Sequence, residues 1–157
     1  MTPAARLSAA IDVLAGIAEL RAPVGEALKD WGRRNRYAGA KDRTAIASLI
    51  YDALRARASS AWLMGGEGPR DIMLGALKVS RGLDAEAIAK LCSGERYAPA
   101  PLTAEERARL ETASLTGAPE HVQGDYPEWL APHFSRAFGA EAVAEGRALA
   151  QRAPVDL

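Results

Sequence analysis

Ile46, Leu49, Ile50, Ala53 and Leu54 follow one another at the spacing that lines a single face of an α-helix. The stretch that carries them, Lys41 to Gly65, is the most regular such pattern in the chain. An amphipathic helix of this kind must bury its apolar stripe against other elements. The surrounding sequence favours further helices as those elements. Alanine supplies 34 of the 157 residues and aromatic residues only 6%, a balance that suits helix over sheet. No segment shows the alternation of a half-buried strand. The expected fold class is therefore all-α: one helical bundle with room for a short appendage, long enough to bury about 70% of its unfolded surface.

Capping signals divide the chain. Thr2 and Pro3 open a first helix that runs to about Leu20, with Leu7, Ala10, Ile11, Leu14, Ile17 and Ala18 as its buried stripe. A second helix starts at Pro23, faces Val24, Ala27, Leu28 and Trp31 inward, and is broken by Ala38-Gly39-Ala40. In the Lys41–Gly65 stretch Trp62 falls off the stripe. This predicts a break near Ser59-Ser60, with one of those serines capping a short helix to Met64. Pro69 opens a helix with Ile72, Met73, Ala76 and Leu77 inward, and Asp84 caps a short one to Cys92. Thr103-Ala-Glu-Glu106 is a capping box for a helix ending near Leu115. The expected organisation is a helical domain over 1–115, a Gly- and Pro-containing linker over 116–125 and a helical connector over 126–157. The last helix of that connector spans Ala140 to Ala153.

Net charge is zero, but its distribution is uneven. Arg21 to Arg57 holds nine basic and four acidic residues, a net of +5; Pro99 to Leu157 holds five basic and nine acidic, a net of −4. Such asymmetry points to a polyanion-facing side or to a solvated helix flank. On the second helix, Lys29, Arg33 and Arg36 project to one side with Tyr37 beside them. That stripe either spans successive phosphates with a ring for stacking, or is a solvated flank with Tyr37 packed at the helix end. In the next helix Arg43 and Arg57 fall at the ends of the apolar stripe, which predicts structural roles against a carboxylate or a helix-end carbonyl. Arg55 falls on the solvent side near Ser48 and Asp52, and Asp52 with Arg55 reads as an ordinary i, i+3 pair, not a catalytic carboxylate pair. The candidate RNA-binding residues are thus Lys29, Arg33, Arg36, Tyr37, Lys41 and Arg55.

No catalytic set is present. Gly65-Gly66-Glu67-Gly68 follows no apolar strand and reads as a turn. His121 and His133 have no ligand partner at helical spacing, so neither a catalytic site nor a metal is expected. Cys92, the single cysteine, reads as a small packed residue; it excludes an internal disulfide and suits a cytoplasmic setting. No apolar run approaches ~18 residues, so no membrane span is expected.

Several segments together resemble one family. Asp42-Arg43-x-x-Ile46-x-x-Leu49-Ile50-Tyr51-x-x-Leu54-Arg55 resembles the central signature of NusB-like domains, and Arg6 to Leu14 fits their first helix. Tyr126-Pro127-x-Trp129-Leu130, Phe134 and Phe138-Gly139 resemble the passage from such a domain into a catalytic half. Arg152 to Leu157 is similar to the lead-in to an Arg-Val-Asn stretch there. The arrangement is that of the Sun (Fmu, RsmB) family of bacterial ribosomal RNA cytosine-5 methyltransferases. The resemblance implies a NusB-like bundle that binds ribosomal RNA, of the small subunit by first expectation. It also implies partnership with a C-terminal catalytic domain that would hold S-adenosylmethionine and the catalytic cysteine. That role does not transfer to Cys92, and no cofactor is expected in this chain. NusB-like bundles also pair with proteins. The alternative is therefore a protein-interaction or antitermination-type module, in which the acidic C-terminal portion covers the basic face.

Overall fold

The structure, a computed structural model, describes residues 1–153. Every regular element among them is helical, as the alanine content and the apolar repeat require. Helix α1 spans Pro3–Leu20, α2 Val24–Arg34, α3 Ala40–Arg55, α4 Arg57–Met64 and α5 Pro69–Arg81. Then come α6 (Ala85–Leu91), α7 (Ala104–Thr112), α8 (Glu120–Gln123), α9 (Ala131–Phe138) and α10 (Ala142–Ala150). Single 3₁₀ turns lie at Glu128–Leu130 and Gly139–Glu141. No helix among the described residues is long and apolar enough to cross a membrane.

The expected caps form. Thr2 Oγ1 accepts from the Ala5 N–H at 3.1 Å, and Asp84 Oδ1 from the Ala87 N–H at 2.8 Å. At α7, Thr103 and Glu106 exchange the two bonds of a capping box, at 3.1 and 2.9 Å.

Several boundaries differ from the sequence expectation, each for a local reason. Helix α2 stops at Arg34, because both the backbone N–H and the side-chain amide of Asn35 bond to the Trp31 carbonyl at 2.9 Å. Arg36 and Tyr37 therefore lie in the following turn, not on the helix. The α3–α4 break falls at Ala56, ahead of Ser59 and Ser60, which sit inside α4 and are fully buried. Arg57 is exposed at the start of α4 and does not serve the core. Helix α7 ends at Thr112, the last helix covers only Ala142–Ala150, and Ala18 is exposed while Ala9 and Val13 join the buried face of α1. The family-like segment at the C-terminus falls partly outside the described residues, from Pro154 onward.

Helix α5 is the hub. Residues 72–77 are buried on every side, enclosed by α1, α3 and α4. At its crossing with α4, Gly75 lets the backbones meet: a Cβ there would stand 2.5 Å from Ser60 Cα. The stripe of α3 faces the same core, with Ile46, Ile50 and Ala53 wholly inaccessible. Cys92 is buried in that core, and burial raises its thiol pKa, so it stays a neutral packed residue. Arg70 of α5 ties α7 to the core through Glu106, at 2.7 and 3.1 Å.

The stretch expected as a linker holds α8 and docks on the bundle. Asp125, with φ 54°, accepts from the Ser59 N–H at 2.8 Å and from the Ser59 hydroxyl at 2.7 Å. It caps the N-terminus of α4 from 66 residues away. Beyond it the buried Tyr126 ring stacks on Phe134 at 4.0 Å between centroids. Gly146 of α10 lies against the Gly124 carbonyl, where a Cβ would stand at 2.5 Å.

Candidate nucleic-acid interface

The basic surface starts on α2. Its exposed side repeats acid–base pairs one turn apart: Glu26 with Lys29 at 2.8 Å and Asp30 with Arg33 at 2.9 Å. The Glu26 contact holds the Lys29 ammonium above its ordinary pKa and the Glu26 carboxyl below its own, chiefly through the hydrogen bond between them. Both pairs are open to water. Exposed pairs of this kind contribute little in water, so either cation can turn to another anion at little cost.

Arg43 joins α3 to the end of α2. Its Nε donates to the Ala38 carbonyl at 2.9 Å and its guanidinium NH2 to the Gly32 carbonyl at 3.2 Å. This is the helix-end role expected for it, and the carbonyl ligands leave its charge uncancelled. Gly32 makes room: a Cβ there would meet the guanidinium at 3.2 Å. Lys29, Arg33, Arg36 and Arg43 surround one open groove floored by Gly32. Arg36 thus joins Lys29 and Arg33 as the stripe requires, although from the turn. Tyr37 does not line this groove. It is 72% exposed, and its hydroxyl donates to Asn35 Oδ1 at 3.1 Å.

A second groove runs along the outer face of α3. Lys41, Thr44, Ser48, Tyr51 and Arg55 line it, one helical turn apart, and Arg152 closes its far side. A patch containing Lys29, Arg43, Thr44 and Ala47 links the two grooves. Arg55 is half-buried and donates to Asp52 at 2.6 Å, the i, i+3 pair that its spacing predicts. Asp52 also accepts from Arg81 at 2.7 and 3.0 Å, so one carboxylate is shared by two guanidinium groups.

The four acidic residues between Arg21 and Arg57 are all engaged by cations. Glu26 and Asp30 pair within α2, and Asp42 takes Arg6 at 2.8 Å and the N-terminal ammonium at 3.2 Å. Asp52 takes Arg55 and Arg81. Arg36 and Lys41 have no ion-pair partner among the described residues. The acidic C-terminal portion packs on α4 through α8, and the α2 groove is walled by residues of the α2–α3 region.

The same helical repeat that groups Lys41, Ser48 and Arg55 also contains Tyr51, so its place on this face was readable from spacing. Arg152 carries no such signal, because only the docking of α8–α10 brings it to α3. No group of His, Cys, Asp and Glu able to hold a metal ion exists among the described residues. No protein family model, curated protein or solved structure matches the chain.

Proposed function

We propose that this chain is a NusB-like RNA-docking domain of an S-adenosylmethionine-dependent ribosomal RNA cytosine-5 methyltransferase. In this reading it helps position small-subunit ribosomal RNA for a catalytic domain outside the chain. The observation that carries the RNA-docking part is the convergence of Lys29, Arg33, Arg36 and Arg43 on one groove continuous with the α3 face. The family assignment rests on the resemblance of the α3 signature and the Tyr126–Gly139 segment. Phosphate contacts by such residues give affinity and orientation without reading sequence. Target choice would fall to the catalytic half, which must take up an unpaired or extruded cytosine.

The test is binding of small-subunit ribosomal RNA fragments as a function of salt. Arg33→Glu with Arg36→Glu is expected to weaken binding at least tenfold and to reduce the salt slope by about 2, roughly one per lost phosphate contact. No binding at low salt, or binding untouched by the double reversal, overturns the assignment. A protein-interaction module is the second reading, favoured by Trp129 at 71% and Leu149 at 68% exposure. Dimerisation, or capture of a ribosomal protein without any affinity for RNA, would support it instead.

A further inference from the structure

The outer face of α3 has features that an electrostatic stripe does not need. Tyr51 lies one turn before Arg55 and ~15 Å along the helix from Lys41, at 1.5 Å per residue, is 42% exposed, and shares its groove with Arg152. Lys41, Arg55 and Arg152 line the same groove, and the nearest carboxylate on the helix, Asp52, is already shared by Arg55 and Arg81. The helix repeat holds the ring in place, and Ile46, Leu49 and Ile50 anchor the opposite side of α3 in the core. From Lys41 to Arg55 the face extends ~21 Å, at 1.5 Å per residue. At its far end the groove meets a second recess, between α3, α5 and α10, lined by Arg55, Arg147 and Arg152 together with Asp52, which Arg55 and Arg81 share, and Asp125, which Ser59 engages. The cations therefore form one track, from Arg36 and Arg33 through Arg43 and Lys41 to Arg152 and Arg147, with the exposed Tyr51 ring on it beside Arg55 and Arg152.

A row of cations with an interposed exposed ring is the arrangement by which proteins hold single strands: cations follow the backbone and the ring takes the face of an unpaired base. We infer that the α3 face is a single-strand site in which Tyr51 stacks a base, Arg152 contacts a phosphate beside it, and Lys41, ~15 Å along the helix, contacts a more distant phosphate of the same strand. The strand then continues toward the α2 groove in one direction and α10 in the other. This rests on the RNA-docking reading and makes it more specific. The ligand is unpaired RNA rather than a duplex, whose bases are already stacked. The stacking ring is Tyr51, in place of Tyr37.

The experiment uses the full chain and fluorescently labelled RNA of mixed sequence, as a single strand and as a duplex of the same length, titrated at several salt concentrations. Tyr51→Ala is expected to weaken single-strand binding by about tenfold or more and to leave the salt slope unchanged, because stacking releases no counterions. Tyr51→Phe, which keeps the ring, recovers most of the affinity. Arg152→Gln lowers the slope by about 1. Single-strand binding by Tyr51→Ala equal to that of the parent overturns the inference, as does an equal loss in Tyr51→Phe or tighter binding of the duplex. Displacement of the RNA by poly-glutamate at equal charge would mark the face as a site for acidic protein and overturn it too. Absence of any RNA binding by the parent protein fails both readings. A parent that binds, and is weakened by Arg33→Glu with Arg36→Glu but not by Tyr51→Ala, fails this inference alone.

Discussion

Replacing Gly75 by alanine tests the packing on which every other placement depends. In isolation the change should help a helix, because alanine is favoured over glycine in a helix interior by about 1 kcal/mol. Here the new Cβ would stand 2.5 Å from both Cα and Cβ of Ser60 and 2.9 Å from its carbonyl oxygen. Carbon atoms in contact normally lie about 3.5–4.0 Å apart, so α4 and α5 must separate by about 1 Å. The obstructing atoms are mostly backbone, and neither helix can yield by turning a side chain. Helix α5 is enclosed on all sides over 72–77, so the separation also opens gaps against α1 and α3. Overpacking of this kind costs about 1–3 kcal/mol. The upper end, less the propensity gain, leaves a net loss of about 2 kcal/mol. For a chain of this size that lowers Tm by about 4–8 °C. Gly16→Ala in α1 is the internal control, since nothing lies within 4 Å of a Cβ at Gly16; it should raise Tm by about 2–4 °C. Thermal unfolding followed by circular dichroism reads both. A Gly75→Ala protein as stable as the parent would refute the close α4–α5 crossing.

Neighbouring serines in α4 should respond in opposite ways. Ser59→Ala removes a donor from the half-buried Asp125 carboxylate and should cost about 1–3 kcal/mol, whereas Ser60, whose buried hydroxyl has no partner among the described residues, should tolerate alanine with no loss or a gain of up to about 1 kcal/mol. Urea denaturation decides between them, and the reverse order would place Asp125 elsewhere. Acid should also expose the α5–α7 tie. The Arg70 guanidinium holds the Glu106 carboxyl below its ordinary value of 4.5. A carboxyl depressed in the folded state contributes its stability fully above that ordinary value and loses it as pH falls through the lower folded value. Glu106→Gln should therefore lower stability at neutral pH and flatten its decline below about pH 4.5, and an equally steep decline in the variant would exclude this source.

Placement of the candidate interface shows where local signals stop being sufficient. Spacing alone put Lys29 and Arg33 on one side of α2, and there they are. Arg36 met the same groove for a different reason, because Asn35 ends the helix and the turn carries Arg36 back toward Arg33. Tyr37 left the stripe through that turn. Arg43 was readable because an arginine at a helix start, one short loop after another helix, has unpaired carbonyls within reach. Arg57 was misjudged because a helical projection assumes an unbroken helix, whereas Arg55 makes the i, i+3 pair with Asp52 that the spacing predicts. Ala56 interrupts the phase for Arg57, and Asp52, itself held by Arg81 of α5, captures Arg55.

The sequence by itself determined the helical class, most of the caps, the core face of α3 and the basic bias of the α2–α3 region. These follow from interactions within about four residues, where side-chain spacing and backbone hydrogen bonding act directly. Tertiary structure alone decided the remainder. It joined the α2 and α3 grooves, brought Arg152 beside Tyr51, and set Asp125 as the cap of α4. It also made Gly75 a contact point rather than a weak spot in a helix. Each of these depends on which helices touch and at what distance, a quantity fixed by the packing of the whole core and carried by no local stretch of the chain.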